Sequence, residues 1–182
     1  YDTYLIKTDG SGVEQWSKTF GANWDENGYS VQQTTDGGYI IAAEGSQNLI
    51  KTDGNGIEQW SNYFAVKSRS VQQTSDGGYI VVGHTRSNDW DITDVNNGYY
   101  DYWIIKLDGS GNKEWDKTYG GSNKDEANSI QQTSDGGYIV AGYNGDRDFW
   151  IIKLDGSGNK VWDKTYGGSS HDYATSIQQT SD

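Results

Sequence analysis

One short stretch of the chain concentrates side chains that could do chemistry. Asp89, Asp91, Asp94, Asn96 and Asp101 lie within 13 residues, with Trp90, Tyr99 and Tyr100 interleaved. Carboxylate and amide oxygens are the donors Ca²⁺ takes, about six to eight at a time. The aromatic faces beside them suit a second chemistry, stacking on sugar rings while the carboxylates accept hydrogens from hydroxyls. A third reading is a solvated acidic loop whose rings pack on a neighbouring segment. The spacing is not that of an EF-hand, so all three readings stay open.

Other candidates for a ligand surface are Trp24 and Asp25 in GANWDENG, and His171 and Tyr173 in GGSSHDYA. Groups suited to catalysis are sparse: two His, no Cys, and no GxSxG, HExxH or phosphate-binding Gly-rich loop. Ser169, Ser170, His171 and Asp172 are sequence neighbours, whereas the members of a triad converge from separate directions. Acids are plentiful, but no pair is marked out for glycoside hydrolysis. No catalytic residue is assigned. No cofactor is expected, calcium at Asp89, Asp91, Asp94, Asn96 and Asp101 excepted.

Composition narrows the partners. The formal charge of −12 over 182 residues argues against nucleic acid, whose phosphates need clustered Lys and Arg. No apolar run approaches the ~20 residues of a membrane-crossing helix, so no membrane insertion is expected. Only 32% of residues are hydrophobic, but there are 8 Trp and 14 Tyr. A core must therefore be built largely from rings.

The elements that would position these groups come from an internal repeat. YLIKTDGSGVEQWSKTF (4–20), LIKTDGNGIEQWSNYF (49–64), YWIIKLDGSGNKEWDKTY (102–119) and FWIIKLDGSGNKVWDKTY (149–166) are copies of one unit. Trp16, Trp60, Trp115 and Trp162 follow one another at 44, 55 and 47 residues, a period that suits four-stranded propeller blades. Each unit holds four strand candidates, as in YIVAG, FWIIKLD, KVWDKTY and ATSIQQT, separated by Gly- and Asp-rich turns. The apolar YIVAG strand is expected nearest the axis, and the polar QQT strand at a water-facing rim. The in-register Trp is expected to dock between units, and DGSG to be a plain turn. The prediction is an all-β fold, a β-propeller of four-stranded antiparallel blades. About four are expected, the first without its inner strand, in one repeat region over 1–182 with units near 1–36, 37–76, 77–135 and 136–182. The chain opens inside the pattern, so a larger ring or array is expected, its further blades coming from the same longer chain or another protomer.

The order FWIIKLD, GSG, NKVW resembles the Trp-containing blades of PQQ-like, quinoprotein-type propellers. QQTSDGGYIVAG resembles repeats of large secreted or surface proteins of bacteria and archaea. The resemblance implies a propeller and a secreted or cell-surface setting.

The copies differ most in the loops that follow the YIVAG-type and KTYG-type segments, which share one face. Loops vary where a frame does not, so this face is the expected binding surface. The expected function is a non-catalytic extracellular or cell-surface module for binding, adhesion or assembly, with protein or glycan as partner. The rivals are a fragment of a propeller enzyme, either a glycan hydrolase or lyase or quinoprotein-like, and a structural repeat of a fibre or surface layer.

Overall fold

A T-x-D-G-G segment recurs three times, and each copy closes a tight hairpin. In the copy at 74–78, the Thr74 amide donates to the Gly78 carbonyl and the Gly77 amide to the Thr74 carbonyl, both at 2.9 Å. Asp76 accepts from the Thr74 hydroxyl at 2.5 Å and from the Gly78 amide at 2.9 Å. Gly77 has φ of 84°, which an L side chain rarely adopts. At Gly78 a Cβ would run into the Leu107 carbonyl. The sequence therefore forces the QQT strand to fold back on the YIV strand that follows it.

The computed structural model describes residues 2–21, 26–45, 47–64, 66–86 and 98–181. Among these the only regular elements are strands, and no helix is long and apolar enough to cross a membrane. A first hairpin pairs β1 (Thr3–Thr8) with β2 (Glu14–Phe20). Three antiparallel four-stranded sheets follow. The first contains β3 (Asn27–Gln33), β4 (Tyr39–Glu44), β5 (Leu49–Thr52) and β6 (Glu58–Asn62). The second contains β7 (Lys67–Gln73), β8 (Tyr79–Thr85), β9 (Asp101–Leu107) and β10 (Lys113–Tyr119). The third contains β11 (Glu126–Gln132), β12 (Tyr138–Tyr143), β13 (Phe149–Leu154) and β14 (Lys160–Tyr166). In each, neighbours in sequence are neighbours in the sheet. These are the four-stranded antiparallel blades the repeat predicts.

One expectation is corrected. The QQT strand opens each sheet instead of ending it, and β3, β7 and β11 pack against one another where consecutive sheets meet. Its polarity reflects bonds to the neighbouring unit, not exposure to water. The Gln73 amide donates to Oε1 of Gln32 and the Gln132 amide to Oε1 of Gln72, both at 2.6 Å. In return, Oε1 of Gln73 accepts from the Thr35 amide and Oε1 of Gln132 from the Ser75 amide, both at 2.8 Å. The last copy repeats the pattern. Residues 171–181 form no regular strand, contrary to expectation, but the Gln179 amide donates to Gln131 at 2.6 Å and Ser134 donates back to Gln179 at 2.9 Å.

Apolar clusters fill the space between sheets. Ile40, Ala42 and Leu49 meet Val71, Val81, Trp103 and Ile105 across the first junction. Ile80, Val82, Tyr102 and Ile104 meet Ala127, Ile130, Val140 and Ile152 across the second. Phe20 and Leu5 join Ile41 and Ile50 to hold the first hairpin.

The repeated Trp locks each junction from its other end. Trp16, Trp60 and Trp115 meet Tyr39, Tyr79 and Tyr138 of the following unit edge to face, at 5.6, 5.6 and 5.9 Å. Each also presses on a turn glycine of the next unit, respectively Gly56, Gly111 and Gly158. Trp162 has no such neighbour among the described residues and is 43% exposed. Trp115→Ala should therefore cost about 3 kcal/mol in urea unfolding, and Trp162→Ala well under half of that.

Candidate functional site

The loops on one face are set by residues at the C-terminal ends of the β4, β8 and β12 strands. Glu44, His84 and Tyr143 occupy the same register place, opposite Asn27, Lys67 and Glu126 respectively. Each side chain also reaches the next unit. Glu44 pairs with Lys67, His84 Nε2 lies 3.6 Å from Glu126 Oε1, and the Tyr143 ring meets Tyr173 at 4.8 Å. A line of polar contacts thus crosses the junctions on this face.

Beside the second junction this line opens into a cleft of about 590 Å³. Tyr99, Ser122, Asn123, Lys124, Tyr143, Gly145, Arg147 and Tyr173 line it. They come from four separate segments, and two buried or half-buried acids tie the segments together. Asp125 accepts from the Gly121 and Gly145 amides, both at 3.0 Å, while its own amide donates to the Tyr100 carbonyl at 2.7 Å. Burial pushes the Asp125 carboxyl up, although the two amides oppose this. Asp172 repeats the device: it accepts from the Gly168 amide at 2.9 Å, and its own amide donates to the Arg147 carbonyl at 2.8 Å.

Cations and rings meet across the opening. Lys124 Nζ lies 5.7 Å from the Tyr100 ring centre and 5.9 Å from that of Tyr143, and it pairs with Glu126 at 2.7 Å. Glu126 raises the affinity of Lys124 for its proton more than burial lowers it. Burial alone would push the Glu126 carboxyl up, but Lys124 and Tyr143 bring it net below the usual range. Burial, with the Glu126 hydrogen bond, pushes the Tyr143 phenol up to about 12. Arg147 Nη1 lies 3.2 Å from each ring nitrogen of His171. Its φ of 65° is a left-handed backbone, which costs a non-glycine residue roughly 1–3 kcal/mol. The turn holds it there through Asn144 Oδ1, which accepts from the Asp146 and Asp148 amides at 3.1 and 3.0 Å.

The sequence candidates separate into groups. Tyr99 and Tyr173 line the cleft; Tyr100 packs beside it on Tyr99 and His84, at 4.8 and 5.1 Å; His171 stands over Arg147. Trp24, Asp25, Asp89, Trp90, Asp91, Asp94 and Asn96 lie outside the described residues. Asp101 is fully buried in β9, opposite Thr85. Among the described residues no three acids or His gather as metal ligands. The DGSG turn at 108–111 is closed by its own acid: Asp108 accepts from the Ser110 amide at 2.8 Å and the Asn112 amide at 2.9 Å. Lys124, Tyr143, Arg147 and the His84–Glu126 contact were not singled out in the sequence. The available signal was that one register place carries Glu44, His84 and Tyr143 in successive copies.

No protein-family model matches this chain, and no match was found among curated proteins. Solved structures do match. A protein of unknown function from Bacteroides caccae aligns over 91% of this chain and 58% of its own, with a TM-score of 0.56 and 12% identity. BamB from Moraxella catarrhalis aligns over 84% of this chain and 40% of its own, with a TM-score of 0.52 and 19% identity. The chain therefore spans less than two thirds of either structure. The likeness to BamB, a β-propeller, shows a β-propeller-like fold.

His84 makes a pH prediction. Burial holds its imidazole at about 4, below its ordinary 6.5, against the pull of Glu126. Between pH 6.5 and 4 the unfolded chain takes up a proton that the folded chain refuses. Stability therefore falls as pH drops through this window, by up to about 1.4 kcal/mol per pH unit from this residue. In urea unfolding across a pH series, His84→Gln should remove that part of the slope.

Proposed function

We propose that this chain is a non-catalytic binding module that takes a carbohydrate in the cleft beside Tyr99, Lys124, Tyr143 and Tyr173. The observation that carries the reading is the mixture lining the cleft. Aromatic rings supply flat apolar faces for sugar C–H groups, and Ser122 and Asn123 supply donors and acceptors for hydroxyls. Lys124 is paired with Glu126, and Arg147 brings positive charge into the cleft of a chain with a formal charge of −12. That local reversal favours a sugar bearing a carboxylate, which Arg147 can meet with two parallel hydrogen bonds. Tying the loops through Asp125 and Asp172 limits the ordering that binding must impose.

The setting that fits is outside the cell or on its surface, where acidic glycans are displayed. This rests on the resemblance of the QQTSDGGYIVAG repeats to those of secreted and surface proteins.

The test is a glycan array followed by calorimetry with the acidic oligosaccharides it selects. Tyr173→Ala and Arg147→Ala should each weaken binding by about tenfold or more, with the far-ultraviolet circular dichroism unchanged. Array silence, or binding indifferent to both substitutions, would refute the assignment.

A further inference from the structure

One carboxylate oxygen ties the cleft to a buried imidazole. Oε1 of Glu126 lies 2.7 Å from Nζ of Lys124, which lines the cleft, and 3.6 Å from Nε2 of His84. The three side chains lead from surface to core, being 48%, 12% and 2% exposed for Lys124, Glu126 and His84. At the first junction the matching acid, Glu44, is shared between Lys67 and the Tyr29 hydroxyl instead. Only the second junction therefore sets a carboxylate between a cleft cation and an imidazole.

The surroundings of His84 make Glu126 decisive for its charge. Its Nδ1 is buried without a hydrogen-bond partner among the described residues. Cations act on it from the elements packed around it: Lys67 opposite on β7, Arg69 on the same strand, and Lys124 just before β11. The Tyr100 ring meets it edge to face at 5.1 Å. The phenols of Tyr102, opposite on β9, and of Tyr143 keep their protons well above neutral pH. Glu126 alone among these groups is an acid, and Lys124 already holds it. A buried imidazole facing three cations takes a proton only when a carboxylate is turned to it.

We propose that an acidic ligand enters this cleft together with a proton: its carboxylate draws Lys124 away from Glu126, and Glu126 turns its charge on His84, which takes up a proton from solvent. The ligand's identity rests on the acidic-sugar reading, whereas the relay rests on the contacts of Glu126. Charges balance at each stage. Before binding, Lys124 faces Glu126 and His84 is neutral; afterwards Lys124 faces the ligand, and the imidazolium faces Glu126. The complex then holds one proton more than its separate parts, so affinity rises as pH falls below neutral. The rise ends near pH 4, where His84 of the free protein is itself protonated. The module thus grips its ligand more tightly in acid surroundings.

Two measurements test this. Lys124→Gln copies the withdrawal of Lys124 without any ligand, with circular dichroism as the folding control. The ring-proton NMR signals of His84 should then titrate about one pH unit or more above their wild-type position. The second is calorimetry of an acidic oligosaccharide selected on a glycan array, run at pH 5 in two buffers of different ionisation enthalpy. It should show uptake of roughly half a proton or more, and affinity about fivefold higher at pH 5 than at pH 7. His84→Gln should abolish the uptake and bring the two affinities together, which separates His84 from the imidazole of His171 over Arg147. An unmoved His84 in Lys124→Gln, binding without proton uptake, or uptake that persists in His84→Gln would overturn the relay. A shifted His84 beside a silent array would uphold the relay and overturn the carbohydrate assignment.

Discussion

Consecutive sheets are held together where a glutamine side chain of one unit accepts the outward backbone amide of the next. Gln32, Gln72 and Gln131 accept from the amides of Gln73, Gln132 and Gln179 at 2.6 Å each. A strand that opens a sheet has one row of amides with no ladder partner, and such a row is costly when water is excluded from it. Side chains of the preceding unit fill that row here, supported by Ser30 and Ser129, whose hydroxyls accept from the Val71 and Ile177 amides at 3.4 and 3.2 Å. Each bond is worth only about 0.5–1.5 kcal/mol net. Removing one leaves a half-buried donor unsatisfied, so the constraint is stronger than that figure. The S-x-Q-Q-T phrase is thus a docking device repeated once per unit.

The outer features follow from that inner fixing. Once two QQT strands are in register, the strands after them lie face to face and bury Ile, Val and Ala between them. The Trp of one unit then meets the Tyr and the turn glycine of the next. Only the loops on one face are free to differ, and there successive units carry Glu44, His84 and Tyr143 at one place. The cleft arises where this divergence sets Lys124, paired with Glu126, between the rings of Tyr100 and Tyr143.

Much of the fold was legible in the sequence because its signals are local. The apolar runs, the DGSG and DGG turns and the periodic Trp each depend on a few adjacent residues, and they predicted the strands and the docking of Trp16, Trp60 and Trp115. The QQT strand was misplaced for a physical reason. Polarity was read as contact with water, whereas Gln32 and Gln72 are half-buried and bonded to another unit's backbone. Hydrogen bonds spanning about forty to sixty residues leave no mark in local pattern. The cleft was partly legible: Tyr99, Tyr100, His171 and Tyr173 stood out by type, but Lys124, Tyr143 and Arg147 reach it through loop geometry fixed by buried Asp125 and by Asp172.

The most direct test of this account is native-state amide hydrogen exchange at Gln73 and Gln132, read residue by residue by NMR. Outward amides of a sheet-opening strand ordinarily exchange quickly, because water is their only partner. The account predicts exchange at these two sites as slow as in the interior of β8. It also predicts that Gln32→Ala accelerates exchange at Gln73, and Gln72→Ala at Gln132, each without disturbing the other. Fast exchange at both amides in the unmodified protein would contradict it.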